Sequence, residues 1–136
     1  MKLLMFATLE FWCKSTIKTV EREADDFREV QAKEAIAAFV QFEEHDGERP
    51  GPTVTKLIKN IKWLAGKFGW RKVVLHSFNH LSDSSLDYDQ AKELLFAARD
   101  RLKNANYEVD VTPYGHVCEL KMHVSGKTLG RVFKSV

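Results

Sequence analysis

Apolar residues along the chain fall into continuous runs, helical stripes and alternations, and each pattern predicts a different element. Val73, Val74 and Leu75 form an unbroken apolar run that leads into the polar stretch from His76 to Ser82, which predicts a strand buried on both faces. Leu3, Leu4, Met5 and Phe6 have the same character, so residues 2–8 are predicted to form a first, central strand. Residues 9–28 carry Phe11, Trp12, Ile17 and Val20 at no regular period and turn acidic from Glu21, which predicts an exposed loop or a frayed helix. Residues 36–42 predict another apolar strand, with helix as the competing state because of Ala35, Ala37 and Ala38.

Gly47, Pro50, Gly51 and Pro52 mark residues 43–52 as a loop. After it, Val54, Leu57, Ile58, Ile61, Leu64, Ala65 and Phe68 share one helical face, with Thr53 as the expected N-cap and Gly69 as the stop. A second stripe of Ala91, Leu94, Leu95, Ala98 and Leu102 predicts a helix over residues 87–104, with Asp87 and Gln90 spaced as a capping box. Tyr107, Val109 and Val111 alternate with acids, and Leu120, Met122 and Val124 alternate with Glu119, Lys121 and His123, so two half-exposed strands are expected. A turn at Ser125-Gly126-Lys127 predicts that residues 129–133 pair as a hairpin with the strand before them. The expected architecture is a single α/β domain over residues 1–136, a mixed β-sheet with two main helices.

Composition narrows the function. With 136 residues, 44% hydrophobic and 29% charged, the chain has the make-up of one globular domain. No apolar run is long enough to span a bilayer and the first apolar segment lacks a signal-peptide pattern, so a cytoplasmic location without membrane contact is expected. Cys13 and Cys118 belong to no CxxC or Cys/His cluster, which argues against a disulfide framework or zinc site. No GxGxxG or GxxxxGK[ST] loop is present, and no cofactor is expected. The net charge is only +2, yet residues 53–82 contain Lys56, Lys59, Lys62, Lys67, Arg71 and Lys72 and no acid. That run fits either a surface for phosphates or an ordinary solvated helix face.

The loop after the 73–75 strand is the first place to seek chemistry, because α/β folds bind ligands beyond strand ends. His80 lies there, an imidazole able to donate or accept near neutral pH. His76, inside the strand, reads as structural, and His45 and His123 as solvated. His116 and Cys118 are two apart on a strand and so can share a face; a nucleophilic pair competes there with a cysteine packed as a small hydrophobe. Phe78 and Tyr114 fit equally as platforms for a base or as core. Trp12 and Phe42, without obvious cover, point to a homodimer.

Two stretches, Val73-Val-Leu-His-Ser-Phe-Asn-His-Leu-Ser82 and Thr112-Pro-Tyr-Gly115, stand in register about one predicted helix. Together they resemble the N-terminal editing domain of archaeal threonyl-tRNA synthetases, whose fold is D-aminoacyl-tRNA deacylase-like, and the similarity covers nearly the whole chain. The resemblance implies hydrolysis of the ester of a mischarged tRNA, seryl-tRNA(Thr) or a related species, by a free-standing trans-editing homodimer beside a separate threonyl-tRNA synthetase. It implies a pocket for the aminoacyl-adenosine of the tRNA 3′ end, in which main-chain groups and ribose hydroxyls position a water. His80 takes the catalytic position, and Phe78, Ser82, Pro113, Tyr114, Gly115, His116, Val117 and Cys118 the substrate-binding ones. The chain departs from the family pattern at Val117 and Cys118, which replace a Tyr-Lys pair, and at Arg131, which replaces an acid. It departs again at Ala7, Thr8 and Leu9, where the family has a polar His-Ser-Asp cluster. A module that binds tRNA, aminoacyl-adenosine or a nucleotide without catalysis is the alternative these departures imply, with an enzyme acting on another small ester as a third.

Overall fold

In the computed structural model, which describes residues 1–136, both apolar stripes become helices. They are α1 (Pro50–Phe68) and α2 (Tyr88–Asn104), set among β1 (Lys2–Lys18), β2 (Glu29–Gln41), β3 (Lys72–Ser77), β4 (Glu108–Val111), β5 (His116–Val124) and β6 (Arg131–Ser135). One mixed sheet runs β4-β3-β2-β1-β5, with β6 also on β1. β2, β3 and β4 are parallel and joined by the two helices, while β1 is antiparallel to all its neighbours. Helix α1 starts earlier than its stripe, with Pro at the first positions, where a missing N–H costs nothing. Thr53 is therefore inside the first turn rather than at the N-cap, its hydroxyl donating to the Arg49 carbonyl at 2.8 Å. Gly69 ends the helix at φ +70°, a conformation that suits glycine. Asp87 caps α2 by accepting from the Gln90 amide at 3.3 Å. Both helices lie on one face of the sheet, where Leu57, Ile61, Leu95 and Leu102 meet Leu3, Met5, Ile36, Val40, Val73 and Leu75.

Residues 9–18, expected as loop or helix, continue β1, and only residues 19–28 are loop. The period is hidden because β1 and β2 each carry a residue outside the alternation at one level, and β1 shifts again against β5 between Ser15 and Ile17. On β1 the helix-free side is taken by Leu4 and Phe6, then by Phe11 and Cys13; on β2 it is taken by Val30 and Ala32, then by Ala35, Ala37 and Phe39. The odd residues are Leu9 and Glu34, the latter at φ +49°. They sit at one level between Thr8↔Ala35 and Glu10↔Lys33, so the pairing of the two strands is kept. The far half of this ribbon folds back over the helix-free face. Arg28 thereby reaches the Val111 carbonyl on β4 at 2.6 Å, and Lys18 pairs with His116 at the start of β5. A second, smaller core of Phe11, Cys13, Val30, Ala37, Phe39 and Val74 fills the fold.

The expected terminal hairpin does not form. β6 pairs with β1, Leu4 opposite Phe133, because the turn after Val124 carries the chain past β5 to the remaining free length of the β1 edge. Phe42, expected to lack cover, is 5% exposed and belongs to the helix-side core.

At the end of β2 a buried polar cluster fixes the loops. The Met1 ammonium lies 2.7 Å from Glu43 Oε1 and 3.0 Å from Asp46 Oδ2. Ser82 Oγ donates to the other Glu43 oxygen at 2.7 Å. Burial works to raise the Glu43 pKa, but hydrogen bonds from the ammonium and Ser82, with the charge of the ammonium and Lys2, outweigh it and hold it at about 2. On β3, burial lowers His76 to about 4. Both shifts are downward, so between the folded and unfolded values the unfolded chain binds more protons and stability rises with pH. Acid is expected to destabilise the fold in two stages, from pH 6.5 to about 4 through His76 and from pH 4.5 to about 2 through Glu43. The His76 stage should be worth roughly 3 kcal/mol. Urea midpoints measured across pH check this: His76→Asn should flatten the upper window and Glu43→Gln the lower one.

Candidate functional site

The polar stretch after β3 is held from below by one side chain. Gln41, a polar residue at the end of an apolar run and 1% exposed, accepts from the Leu81 and Ser82 amides at 2.7 and 2.8 Å. Its amide group donates to the Ser82 and Ser84 carbonyls at 2.9 and 3.1 Å. Four bonds from a buried group fix the backbone just beyond His80. Ser82 is occupied in this clamp and by Glu43. His80 itself is exposed, its ring edge-on to Phe78 at 5.0 Å. Phe78 in turn packs on Phe39 at 5.1 Å, which ties the loop to the smaller core.

The helix-free face is where the expected residues meet, though only some of them. Phe78, Leu4, Phe6, Cys118 and Met122 form the partly buried margin of the smaller core. Arg131 pairs directly with Phe6, and Phe133 with Leu4, so both share that face. His80, Phe78, Cys118 and Arg131 thus belong to one side of the sheet. Val117, one residue from Cys118, points to the other side and is 50% exposed.

The Pro113–His116 turn is committed to structure. Tyr114 is 9% exposed in the helix-side core, 5.0 Å from the Tyr88 ring, and burial pushes its hydroxyl up to about 12. Gly115 has φ +73°, and a Cβ there would meet Tyr88 Oη at 2.6 Å. Its carbonyl accepts from the Thr19 amide at 2.8 Å and hydroxyl at 3.0 Å. His116 uses both ring nitrogens: Nδ1–H donates to the Tyr114 carbonyl at 2.9 Å, and Nε2 accepts from the Asp26 amide at 3.1 Å. That geometry selects the neutral tautomer and leaves no nitrogen for a substrate or for Cys118. His76 Nδ1 is likewise paired with Thr112 Oγ1 at 2.7 Å.

Cys118 has a different partner. It lies on β5 opposite Ser15, diagonal to Cys13, which is opposite Leu120. A hydrogen bond from the Cys13 thiol, with the positive charge of Arg28, lowers the Cys118 pKa against the opposing effect of burial, while Cys13 is raised by its bond to Cys118 and by burial. Sequence reasoning missed Gln41, Thr112, Arg28 and Cys13. Of these only Gln41 had a visible signal, a polar residue closing an apolar run. Two openings lie elsewhere. A groove of about 700 Å³ crosses the ribbon between Gln31, Trp12 and Lys121 on one side and Lys33, Glu10 and His123 on the other. A cavity of about 500 Å³ lies between the 19–28 loop and α2, where Glu23, Arg28, Lys92 and Arg99 surround Thr112 and Tyr114. Neither is lined by His80. Glu43, His45 and Asp46 form a cluster of metal-ligand type, but its buried carboxylates already face the Met1 ammonium.

No helix is long and apolar enough to cross a membrane. The fold matches the structure of a c-Myc DNA unwinding element binding protein, with a TM-score of 0.66 at 11% identity, over 100% of this chain and 99% of that one. Among curated sequences, the threonine-tRNA ligase of Thermococcus kodakarensis is 26% identical over 129 residues, 94% of this chain and 21% of the ligase. That of Nanoarchaeum equitans is 31% identical over 120 residues, 85% of this chain and 18% of the ligase. The chain thus spans about a fifth of the length of these relatives. A family profile, the archaea-specific editing domain of threonyl-tRNA synthetase, matches residues 1–136, and this chain belongs to that family of tRNA-editing domains.

Proposed function

We propose that this domain hydrolyses the ester of a mischarged tRNA, seryl-tRNA(Thr) or a related species, acting in trans beside a separate threonyl-tRNA synthetase. The observation that carries the reading is His80 at the rim of the helix-free face, next to the backbone that the Gln41 clamp fixes and edge-on to Phe78, in a chain of the editing family. An aminoacyl ester is already activated, so fixing a water and the terminal adenosine against it removes much of the barrier. His80 is the group that orients or relays a proton from that water. Phe78 and Cys118 contribute side chains to the pocket, and the Pro113–Val117 turn and Ser82 contribute position through the backbone they fix. Exclusion of a methyl group gives only ~1–3 kcal/mol, which is why a hydrolytic second sieve is useful. Two copies are proposed to pair through apolar surface that the fold leaves open, including the cross-strand neighbours Ile17 and Val117, 61% and 50% exposed.

A second reading rests on Cys118 and Arg131, which stand at the family's lysine and acidic positions: a module that binds the aminoacyl-adenosine end without cleaving it. A deacylation panel separates the two. Wild-type protein should shorten the half-life of seryl-tRNA(Thr) or another mischarged species relative to buffer, and His80→Ala should slow it by about 100-fold. Binding without cleavage of any serine, threonine or D-amino acid ester favours the second reading. Cys118→Lys should raise seryl ester hydrolysis if that departure alone retunes the site.

Two further outcomes are expected. Iodoacetamide near neutral pH should alkylate Cys118 about 10-fold faster than Cys13, and Arg28→Ala should slow it; peptide mass spectrometry reads both. Light scattering after size exclusion should give the mass of a dimer, and Val117→Glu should shift it toward the 15.6 kDa chain.

A further inference from the structure

The solvent side of α1 carries Lys56, Lys59, Trp63 and Lys67 at spacings of three, four and four residues, a single stripe about 17 Å long. Lys134 of β6 joins it across the sheet edge, its ammonium 5.2 Å from the Trp63 ring centre, with that of Lys67 at 6.0 Å. Lys127 follows, 5.7 Å from the ring of Phe68, and Lys62 is the remaining cation of the helix face. None of these six lysines makes an ion pair. Neither α1 nor residues 127–136 contain an acid. Their summed charge exceeds the +2 of the whole chain, so the rest of the surface is net acidic and the molecule is electrically two-sided. The surface differs from the lysine run in the sequence. Lys72 is paired with Asp110 at 2.9 Å and Arg71 lies over Tyr107 at 4.8 Å, whereas Lys127 and Lys134 come from the far end of the chain.

The chemistry of the patch selects its occupant. Lysines are point charges without the planar fork that reads base edges, and the Trp63 ring is flanked by two ammonium groups, which leaves it poorly placed to stack a base. The α1 stripe, with Lys134 and Lys127 beside it, presents a regular row of unpaired point charges on one face, which suits the evenly spaced phosphates of a helix rather than a splayed single strand. The first turn of α1 is also tied to the loop after β3: Thr53 bonds to the Asp46 carbonyl, and Glu43, three residues before Asp46, holds Ser82. We propose that the α1–β6 face binds the phosphate backbone of double-helical RNA, without sequence preference, and so holds the stem of a tRNA whose 3′ end enters the His80 site. The assignment of that RNA as tRNA rests on the editing reading.

The test is fluorescence anisotropy with a short labelled RNA hairpin, the same strand unable to pair, and phosphatidylserine vesicles. Replacing Lys56, Lys59, Lys67 and Lys134 together by Ala should weaken hairpin binding by at least about 10-fold and reduce the slope of log K against log salt by about 0.9 for each phosphate no longer neutralised. A control with Lys14, Lys33, Lys103 and Lys121 replaced by Ala removes equal charge elsewhere and should bind like wild type. Equal weakening in the control, none in the patch variant, or a preference for the unpaired strand or the vesicles overturns the proposal. Hydrolysis of seryl-adenosine, which has no stem, should be unchanged in the patch variant. If wild type fails to cleave that ester while hairpin binding still depends on the patch, the deacylase reading falls and this one stands; cleavage without patch-dependent binding gives the reverse.

Discussion

Leu9 and Glu34 stand at the same level of neighbouring strands, each one residue outside the alternation, and this paired irregularity decides which surfaces the molecule has. A single extra residue would slip the register of β1 against β2 and turn every later side chain to the wrong face. Two at one level keep the register and bend the ribbon instead. Glu34 takes a left-handed conformation at φ +49°, which costs a non-glycine residue roughly 1–2 kcal/mol. The offset comes from burial: Phe11, Cys13, Val30 and Ala32 are removed from water against Ala35, Ala37 and Phe39. A large side chain such as Phe11 contributes roughly 1.5–3 kcal/mol on that account. The bend also brings Arg28 to β4 and β5 to the helix-free side, so the neighbourhood of Cys118 depends on it.

This dependence explains what was legible in the sequence. The two helices, the buried run of β3 and the half-exposed β4 and β5 follow rules with one period each, and their positions were plain. The ribbon of β1 and β2 follows the two-residue period with an exception at Leu9 and Glu34 and another near Thr16, so Phe11 and Trp12 looked aperiodic although Phe11 is buried at 2%. The pairing of β6 was equally hidden. A turn sequence states that the chain reverses, not which edge is vacant, and the vacancy on β1 exists only because β5 stops opposite Thr8.

At the candidate site, the loop that carries Phe78 and His80 was legible because a polar loop after a buried strand is a local pattern. The Gln41 clamp and the Cys13–Cys118 contact are long-range, joining residues about forty and about a hundred positions apart. Tyr114 looked equally suited to a base platform or to the core, and His116 able to share a face with Cys118. Packing against Tyr88 and bonds to Tyr114 and Asp26 take them into the scaffold instead. What remains around His80 is sparse in titrating groups, and the hydrolysis proposed above asks for few of them because an aminoacyl ester is already activated.

The position of β1 between β2 and the β5 and β6 strands has a consequence for how the molecule is made. One edge of β1 is filled by β2, close in sequence, and the other by β5 and β6 laid end to end, about a hundred residues or more away. During synthesis the β1–β2 ribbon can form early, yet its second edge stays open until almost the whole chain has emerged. Contacts of such sequence separation are slow to form, and an unpaired apolar strand edge is a template for wrong partners meanwhile. The same strand that joins both ends of the chain in the finished domain is therefore its most vulnerable part while the domain is incomplete.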